Sequence, residues 1–153
     1  MSSLSKQIER YLKEMIDQVD DGVVEVQRNY LSEQFHCVPS QINYVLSTRF
    51  TPAHGYLVET RRGGGGYIRI VSLQLDKADD LRTVVIDGIG DHISQRDGEG
   101  LVAYLVAQGL LTDREGQLIE AMLTDRVLSG VEHKDELRAN MLQHLFAALS
   151  LGT

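Results

Sequence analysis

Four consecutive glycines, Gly63 to Gly66, preceded by Arg61 and Arg62 and followed by Tyr67-Ile68-Arg69-Ile70, restrict this chain more than any other segment. Glycine has no Cβ, reaches positive φ freely and loses the most conformational freedom on ordering, so such a run suits a turn rather than an element interior. On either side, Tyr56 to Thr60 and Tyr67 to Val71 show period-2 alternation and are rich in β-branched and aromatic residues, as paired strands would be. The segment predicts a β-hairpin with glycine at its tip and guanidiniums where it turns. Such a tip can approach phosphates closely.

The residues before the hairpin carry helical periodicity. Leu4, Ile8, Leu12, Met15, Ile16 and Val19 lie on one face behind serines able to cap a helix, and Asp20-Asp21-Gly22 ends the segment. Val23, Val24 and Val26 form a short apolar stretch, after which Asn29 is the expected N-cap of a helix from Tyr30 to Phe35. His36-Cys37-Val38 interrupts the pattern. Pro39, suited to a first helical position because its missing N–H is not needed there, opens a helix running to about Thr48. In that helix Ile42, Val45 and Leu46 should face inward. Ser40, Gln41, Asn43, Tyr44 and Ser47 lie elsewhere and offer amides, hydroxyls and a phenol without an acid, groups that can hydrogen-bond base edges and phosphates in a major groove. Helix, helix-turn-helix and hairpin in this order predict a winged helix-turn-helix domain over residues 1–74.

Residues 75–153 differ in character, beginning with the charged boundary Asp76-Lys77-Ala78-Asp79-Asp80. Leu81, Val84, Val85, Ile89 and Ile93 predict a helix interrupted or bent near Gly88 and Gly90, and Leu101, Tyr104, Leu105, Ala107 and Leu110 predict a second. Thr112-Asp113-Arg114-Glu115 matches a capping box leading into Leu118, Ile119, Met122, Leu123 and Val127, a helix expected to end at Gly130. A last helix is expected from His133 to Leu149, burying Leu137, Met141, Leu145, Phe146 and Leu149. The predicted fold is mainly α with a β-hairpin: a winged helix-turn-helix domain followed by a four-helix domain that shares its core with a second copy.

Net charge is −7, which by itself disfavours phosphate binding. Its distribution is uneven. Residues 27–71 hold Arg28, Arg49, Arg61, Arg62 and Arg69 against Glu33 and Glu59, or 5 − 2 = +3, whereas residues 72–153 hold seven bases and fourteen acids, or 7 − 14 = −7. Two modules with separate partners follow from that asymmetry. A nucleotide loop is excluded at the glycine run, because Gly66 leads into a strand rather than the helix that a Walker or dinucleotide motif requires. The single cysteine, Cys37, permits no internal disulfide and no CxxC site, and it reads as a small turn residue. The histidines have no close ligand spacing, and His36 and His54 read as turn residues. No metal, cofactor or catalytic pair is expected, and the chain is not expected to be an enzyme. Without a long apolar run or a signal-peptide core it is expected to be soluble and cytoplasmic, with no membrane partner. A protein adaptor that works through its acidic helical half, without binding DNA, is the competing reading of the same residues.

The run Phe35-His36-Cys37-Val38-Pro39-Ser40-Gln41-Ile42-Asn43-Tyr44-Val45-Leu46-Ser47-Thr48-Arg49-Phe50-Thr51, followed by Gly55-Tyr56-Leu57-Val58-Glu59 and by Arg62 through Ile70, resembles the CtsR family, repressors of class III stress genes in Gram-positive bacteria. The match is continuous through the first half, and the order of acidic helices in the second half fits. The resemblance implies a homodimeric heat-shock repressor on tandem-repeat operators of Clp protease and chaperone genes. Its further implied partners are the protein arginine kinase McsB with its activator McsA, and the Clp ATPase and protease machinery. By position it implies a recognition helix from Pro39 to Arg49, with Ser40, Gln41 and Tyr44 as groove or backbone contacts and Arg28 as a DNA-contacting arginine. Arg62 and Gly63, Gly64, Gly65 and Gly66 correspond to a wing that enters the minor groove, bounded by Arg61 and Tyr67. Arg62 corresponds to the arginine phosphorylation target, and Arg61 could share either role.

Overall fold

A computed structural model describes residues 3–61, 66–74, 81–149 and 151. The chain divides into two compact units: Met1–Thr51 with Tyr56–Ala78, and Pro52–Gly55 with Asp79–Thr153. Among the described residues there are seven α-helices and one three-stranded antiparallel sheet, and no helix is long and apolar enough to cross a membrane.

The first unit begins with α1 (Leu4–Asp17), capped by Ser3, whose side chain accepts from the Lys6 N–H. Its stripe of Ile8, Leu12 and Ile16 is fully buried. Strand β1 (Val23–Gln27) follows, then α2 (Arg28–Gln34), α3 (Pro39–Arg49), β2 (Tyr56–Arg61) and β3 (Tyr67–Ser72). The α1 stripe meets Ile42, Val45 and Leu46 of α3, Leu31 of α2, Val24 of β1 and Ile68 and Ile70 of β3 in one core. Along β3 the alternation holds: Ile68 and Ile70 point inward while Tyr67 and Arg69 are half-exposed. Edge-to-face ring pairs, Tyr11 with Phe35 at 5.4 Å and Phe50 with Tyr56 at 4.9 Å, close two margins of this core.

The hairpin is part of a larger sheet. Val23, Val24 and Val26 form a strand that pairs antiparallel with β3, Val24 opposite Ile70 and Glu25 opposite Arg69, so the order is β1-β3-β2. Five residues are too few for periodicity to separate a strand from a loop; pairing with β3 decides it. Asn29 is also not the cap of α2. The helix starts at Arg28 with Gln27 in the cap position and no side-chain cap, and the Arg28 N–H instead donates to the Gly66 carbonyl at 2.6 Å. A wing-root carbonyl therefore satisfies one of the donors that every helix N-terminus leaves open. Between α2 and α3, His36 adopts φ 52°, and the Cys37 N–H donates to the Ser32 carbonyl at 3.0 Å. The tight turn thus rests on a left-handed residue that is not glycine.

The second unit holds α4 (Leu81–Ile89), α5 (Gln95–Ala107), α6 (Asp113–Met122) and α7 (Lys134–Ala148), with a 3₁₀ turn at Pro52–His54 packed on α5. Helix α4 runs through Gly88 and stops before Gly90, which takes φ 73°. Ser94 caps α5, and both bonds of the Thr112–Glu115 capping box are present. At the crossing of α5 and α6 a Cβ on Gly116 would lie 2.7 Å from Val106 Cγ2, so only glycine allows this approach.

Helix α6 ends at Met122 rather than near Gly130, because the Leu123 carbonyl is taken by the Arg138 Nε at 2.7 Å and Thr124 starts a new turn by accepting from the Val127 N–H. The expected core stripe of α7 is also rotated. Arg138, Ala139, Leu142 and Phe146 are buried, whereas Leu137, Met141, Leu145 and Leu149 are half-buried. The cause is Arg138, wholly buried, whose guanidinium also donates to the Ile93 carbonyl at 3.0 Å, to Asp135 at 2.6 Å and to Asp125. With its donors shared among two carbonyls and two carboxylates, this charge ties α7 to the segments ending at Ile93 and Leu123.

Two outcomes follow. Arg138→Ala should cost about 3 kcal/mol in urea unfolding, since it strips a buried cation from two carboxylates and two carbonyls. His36→Gly should hold or raise the melting temperature, whereas His36→Val should lower stability by about 1–2 kcal/mol through its positive φ.

Candidate nucleic-acid interface

Burial of Ile42, Val45 and Leu46 fixes the rotation of α3 and turns its remaining residues outward. Ser40, Asn43, Tyr44 and Ser47 are exposed, with Tyr44 at 51% and Val38, just before Pro39, at 63%. None of them is acidic. Ser47 and Thr48 donate to the Tyr44 carbonyl at 3.1 and 2.7 Å, so their hydroxyls are partly engaged with the helix itself. Pro39 occupies the first turn, as its missing N–H permits, and is exposed.

Two expected contact residues are turned toward α1. Gln41 is half-buried, and its Nε2 donates to Ser5 Oγ at 2.9 Å. Arg49 lies 3.3 Å from Glu9, whose other oxygen binds Lys13 at 2.7 Å. The Lys13 hydrogen bond, with the charges of Lys13 and Arg49, holds the Glu9 carboxyl below the ordinary glutamate range, and Lys13 is raised in return. All three side chains are partly in water, so the cluster contributes modestly to stability.

The hairpin tells a similar story about charge. Arg61 pairs with Glu59 at 2.8 Å, and Arg69 on the central strand stands opposite Glu25 on one side and Glu59 on the other, with Glu25 at 3.8 Å. Of the described arginines between residues 27 and 71, only Arg28 has no acidic partner among the described residues. The excess of +3 read from that window is therefore largely neutralised, because Glu9 and Glu25 lie outside it in sequence and beside it in space. Burial, and then Glu25, raise the Tyr67 phenol, while burial alone raises the Cys37 thiol, which leaves Cys37 unsuited to nucleophilic work.

Arg28 and Gly66 are brought together in a way the sequence did not signal. Besides the backbone bond between them, a Cβ on Gly66 would lie 2.8 Å from Arg28 Nη1 and 3.0 Å from its Cβ. Arg28 Nε is buried there and has no acceptor among the described residues. Gly66 takes φ 83°, so both space and backbone conformation demand glycine. Arg62, Gly63, Gly64 and Gly65 lie outside the described residues. Among the described residues, no cluster of three or more His, Cys, Asp or Glu could hold a metal ion.

A helix-turn-helix whose second helix has an acid-free outer face, joined to a glycine-rooted hairpin, is matched over residues 3–74 by the family model for the CtsR N-terminal HTH domain, and residues 76–147 are matched by that for the CtsR C-terminal dimerization domain. The chain belongs to the CtsR family. It is 39% identical over 151 residues to the transcriptional regulator CtsR of Staphylococcus epidermidis, covering 98% of this chain and 99% of the relative. It is 37% identical over 150 residues to that of Bacillus subtilis, covering 97% of each, and 38% identical to that of Geobacillus stearothermophilus, covering 97% and 98%. A crystal structure of CtsR in complex with a 26bp DNA duplex is 37% identical, covers 97% of this chain and 99% of that one, and superposes with a TM-score of 0.49.

For this CtsR-family chain, Gly66→Ala should destabilise by about 1–2 kcal/mol from φ alone, with a further loss from the clash with Arg28. Arg28→Ala in the same chain should recover at least about 0.5 kcal/mol in a double-mutant denaturation cycle. Strict additivity would show that the two residues do not constrain each other.

Proposed function

We propose that this chain is a sequence-specific DNA-binding transcriptional repressor that acts as a homodimer, with residues 1–74 as the winged helix-turn-helix domain and 75–153 as the dimerisation domain. The observation that carries the reading is α3: its apolar face is locked into a core, and the face left outside is polar, uncharged by acids and tipped by Val38 and Tyr44. Membership of a family of transcriptional regulators supplies the context.

In this mechanism α3 enters the major groove, where Ser40 and Tyr44, with Gln41 if its bond to Ser5 is exchanged, read base edges or hold the backbone. Arg28, with no acidic partner among the described residues, meets a phosphate from the start of α2. The wing, Arg62 with Gly63 to Gly66 between Arg61 and Tyr67, enters an adjacent minor groove, since glycine fits between its walls and a narrow A·T-rich groove attracts the guanidinium. Arg49 and Arg61 contribute once they leave Glu9 and Glu59. The regulated genes are those of Clp proteases and chaperones. Ordering four glycines on DNA costs entropy that weighs more as temperature rises, so heat releases the wing first. Phosphorylation of Arg62 by McsB with McsA, with Arg61 as a second acceptor, replaces a cation by an anion beside DNA phosphates and converts attraction into repulsion. The released protein passes to the Clp machinery in the cytoplasm.

The test is fluorescence anisotropy with a tandem-repeat promoter duplex and a scrambled duplex at several salt concentrations. Wild type should prefer the promoter, with affinity falling steeply as salt rises. Arg62→Ala should lose about 1–3 kcal/mol of binding and reduce the salt slope by about 1. Equal affinity for both duplexes would refute sequence-specific repression, and no binding to either would leave the adaptor reading in its place.

A further inference from the structure

We infer that Ser5, Glu9 and Lys13 of α1 form a clamp that withholds Gln41 and Arg49 of α3 from non-specific DNA. Glu9 is then a positioning residue that sets how well the chain discriminates its operator from other duplexes. This rests on the DNA-binding reading above and assigns to α1 a part in its selectivity.

The three clamp residues are four apart in sequence, so they line one edge of α1. The stripe beside them is buried in the core shared with α3, and the edge itself reaches both ends of that helix. Gln41, in the first turn of α3, donates to Ser5, and Arg49, its last residue, lies against Glu9. These two are particular residues to hold back. Arg49 is the one charged side chain in α3, and Gln41 is one of only two amides there. With both turned to α1, the face left outside presents Ser40, Asn43, Tyr44 and Ser47 and carries no formal charge.

That neutrality has a consequence for binding. Attraction between phosphates and side-chain cations supplies essentially all of non-specific affinity. A reading helix with no cation on offer has little hold on an arbitrary duplex, whereas its hydroxyls and amide still count where base edges match them. Arg49 joins only when α3 is seated deeply enough to bring a phosphate beside it, so its contribution falls on the operator.

The geometry makes Arg49 the detachable partner. Glu9 binds Lys13 at 2.7 Å through one oxygen and Arg49 at 3.3 Å through the other, so the carboxylate keeps a cation beside it when Arg49 leaves. The Lys13 hydrogen bond is also the first cause that holds the Glu9 carboxyl below the ordinary range, with Arg49 contributing less, and the clamp is therefore ionised at neutral pH. The Lys13 and Arg49 side chains are 44% and 39% exposed. A pair so solvated holds by about fivefold at most, strong enough to outlast a loosely placed phosphate and weak enough to yield to a well-placed one.

Fluorescence anisotropy over a salt series, with the promoter and scrambled duplexes, tests the clamp. Glu9→Gln frees Arg49, so binding to the scrambled duplex should tighten about fivefold and its salt slope should steepen by about 1, one further phosphate neutralised. On the promoter the slope should stay as in wild type, because Arg49 already counts there. Adding Arg49→Gln to Glu9→Gln should return the scrambled slope to the wild-type value, which a general loosening of the fold would not do. Glu14→Gln, exposed on the same helix, removes an equal charge and should leave both slopes unchanged. Lys13→Gln covers a folding failure of the Glu9 variant: it breaks the same ion pair but leaves Glu9 with Arg49 alone among the described residues, so promoter binding should weaken about threefold with no steeper slope on the scrambled duplex. An unaltered scrambled slope in Glu9→Gln, a steepening that Arg49→Gln does not reverse, or a steeper slope in Lys13→Gln overturns the clamp, while a wild-type preference for the promoter leaves the DNA-binding reading standing. A wild-type chain with no such preference overturns that reading and the clamp with it.

Discussion

The contact between the apolar stripe of α1 and that of α3 is the constraint on which the first unit depends. Ile8, Leu12 and Ile16 are buried against a core that includes Ile42, Val45 and Leu46, and each such side chain contributes on the order of 1.5–3 kcal/mol when taken from water. Because α3 has only eleven residues, fixing those three positions fixes its rotation. What faces outward is then not adjustable. Ser40, Asn43, Tyr44 and Ser47 are presented as a set, and a change in the buried stripe would turn the whole set away.

Polar anchors finish what the core begins, and in both units an arginine does the fastening. Arg28 gives its backbone N–H to Gly66 and lays its side chain across the same glycine, so the start of α2 and the root of the wing are one structure. Arg138 holds two carbonyls and two carboxylates from inside the second unit. The two differ in cost: Arg138 is fully buried with all its partners in place, while Arg28 keeps a buried Nε without an acceptor among the described residues.

Much of the fold was legible because its signals are local. The α1 periodicity, Pro39 opening α3, the capping box at Thr112 and the pairing of the strands on either side of the glycine run each depend on residues close to one another in sequence, and all are present as expected. The family was legible for the same reason, since its motifs are continuous runs. The failures involve distant partners. Asn29 lost the cap of α2 to a carbonyl thirty-odd residues away, β1 became a strand only by pairing with β3, and the core stripe of α7 was set by a buried arginine that apolar periodicity assigns to the outside. The charge count failed likewise, because a window in sequence cannot include Glu9 and Glu25.

By itself, the sequence determined the order of elements, the winged helix-turn-helix followed by four helices, and the chemical character of the α3 face, because periodicity, capping and turn residues act over one or two turns of chain. Only the tertiary structure decided which arginines are spoken for, that Gly66 and Arg28 share one space, and that α6 buries Gly116 and Ile119 while leaving Leu118 and Met122 exposed. Those outcomes depend on which atoms lie within a few ångströms, and strand pairing and helix crossing bring together residues that the chain keeps far apart.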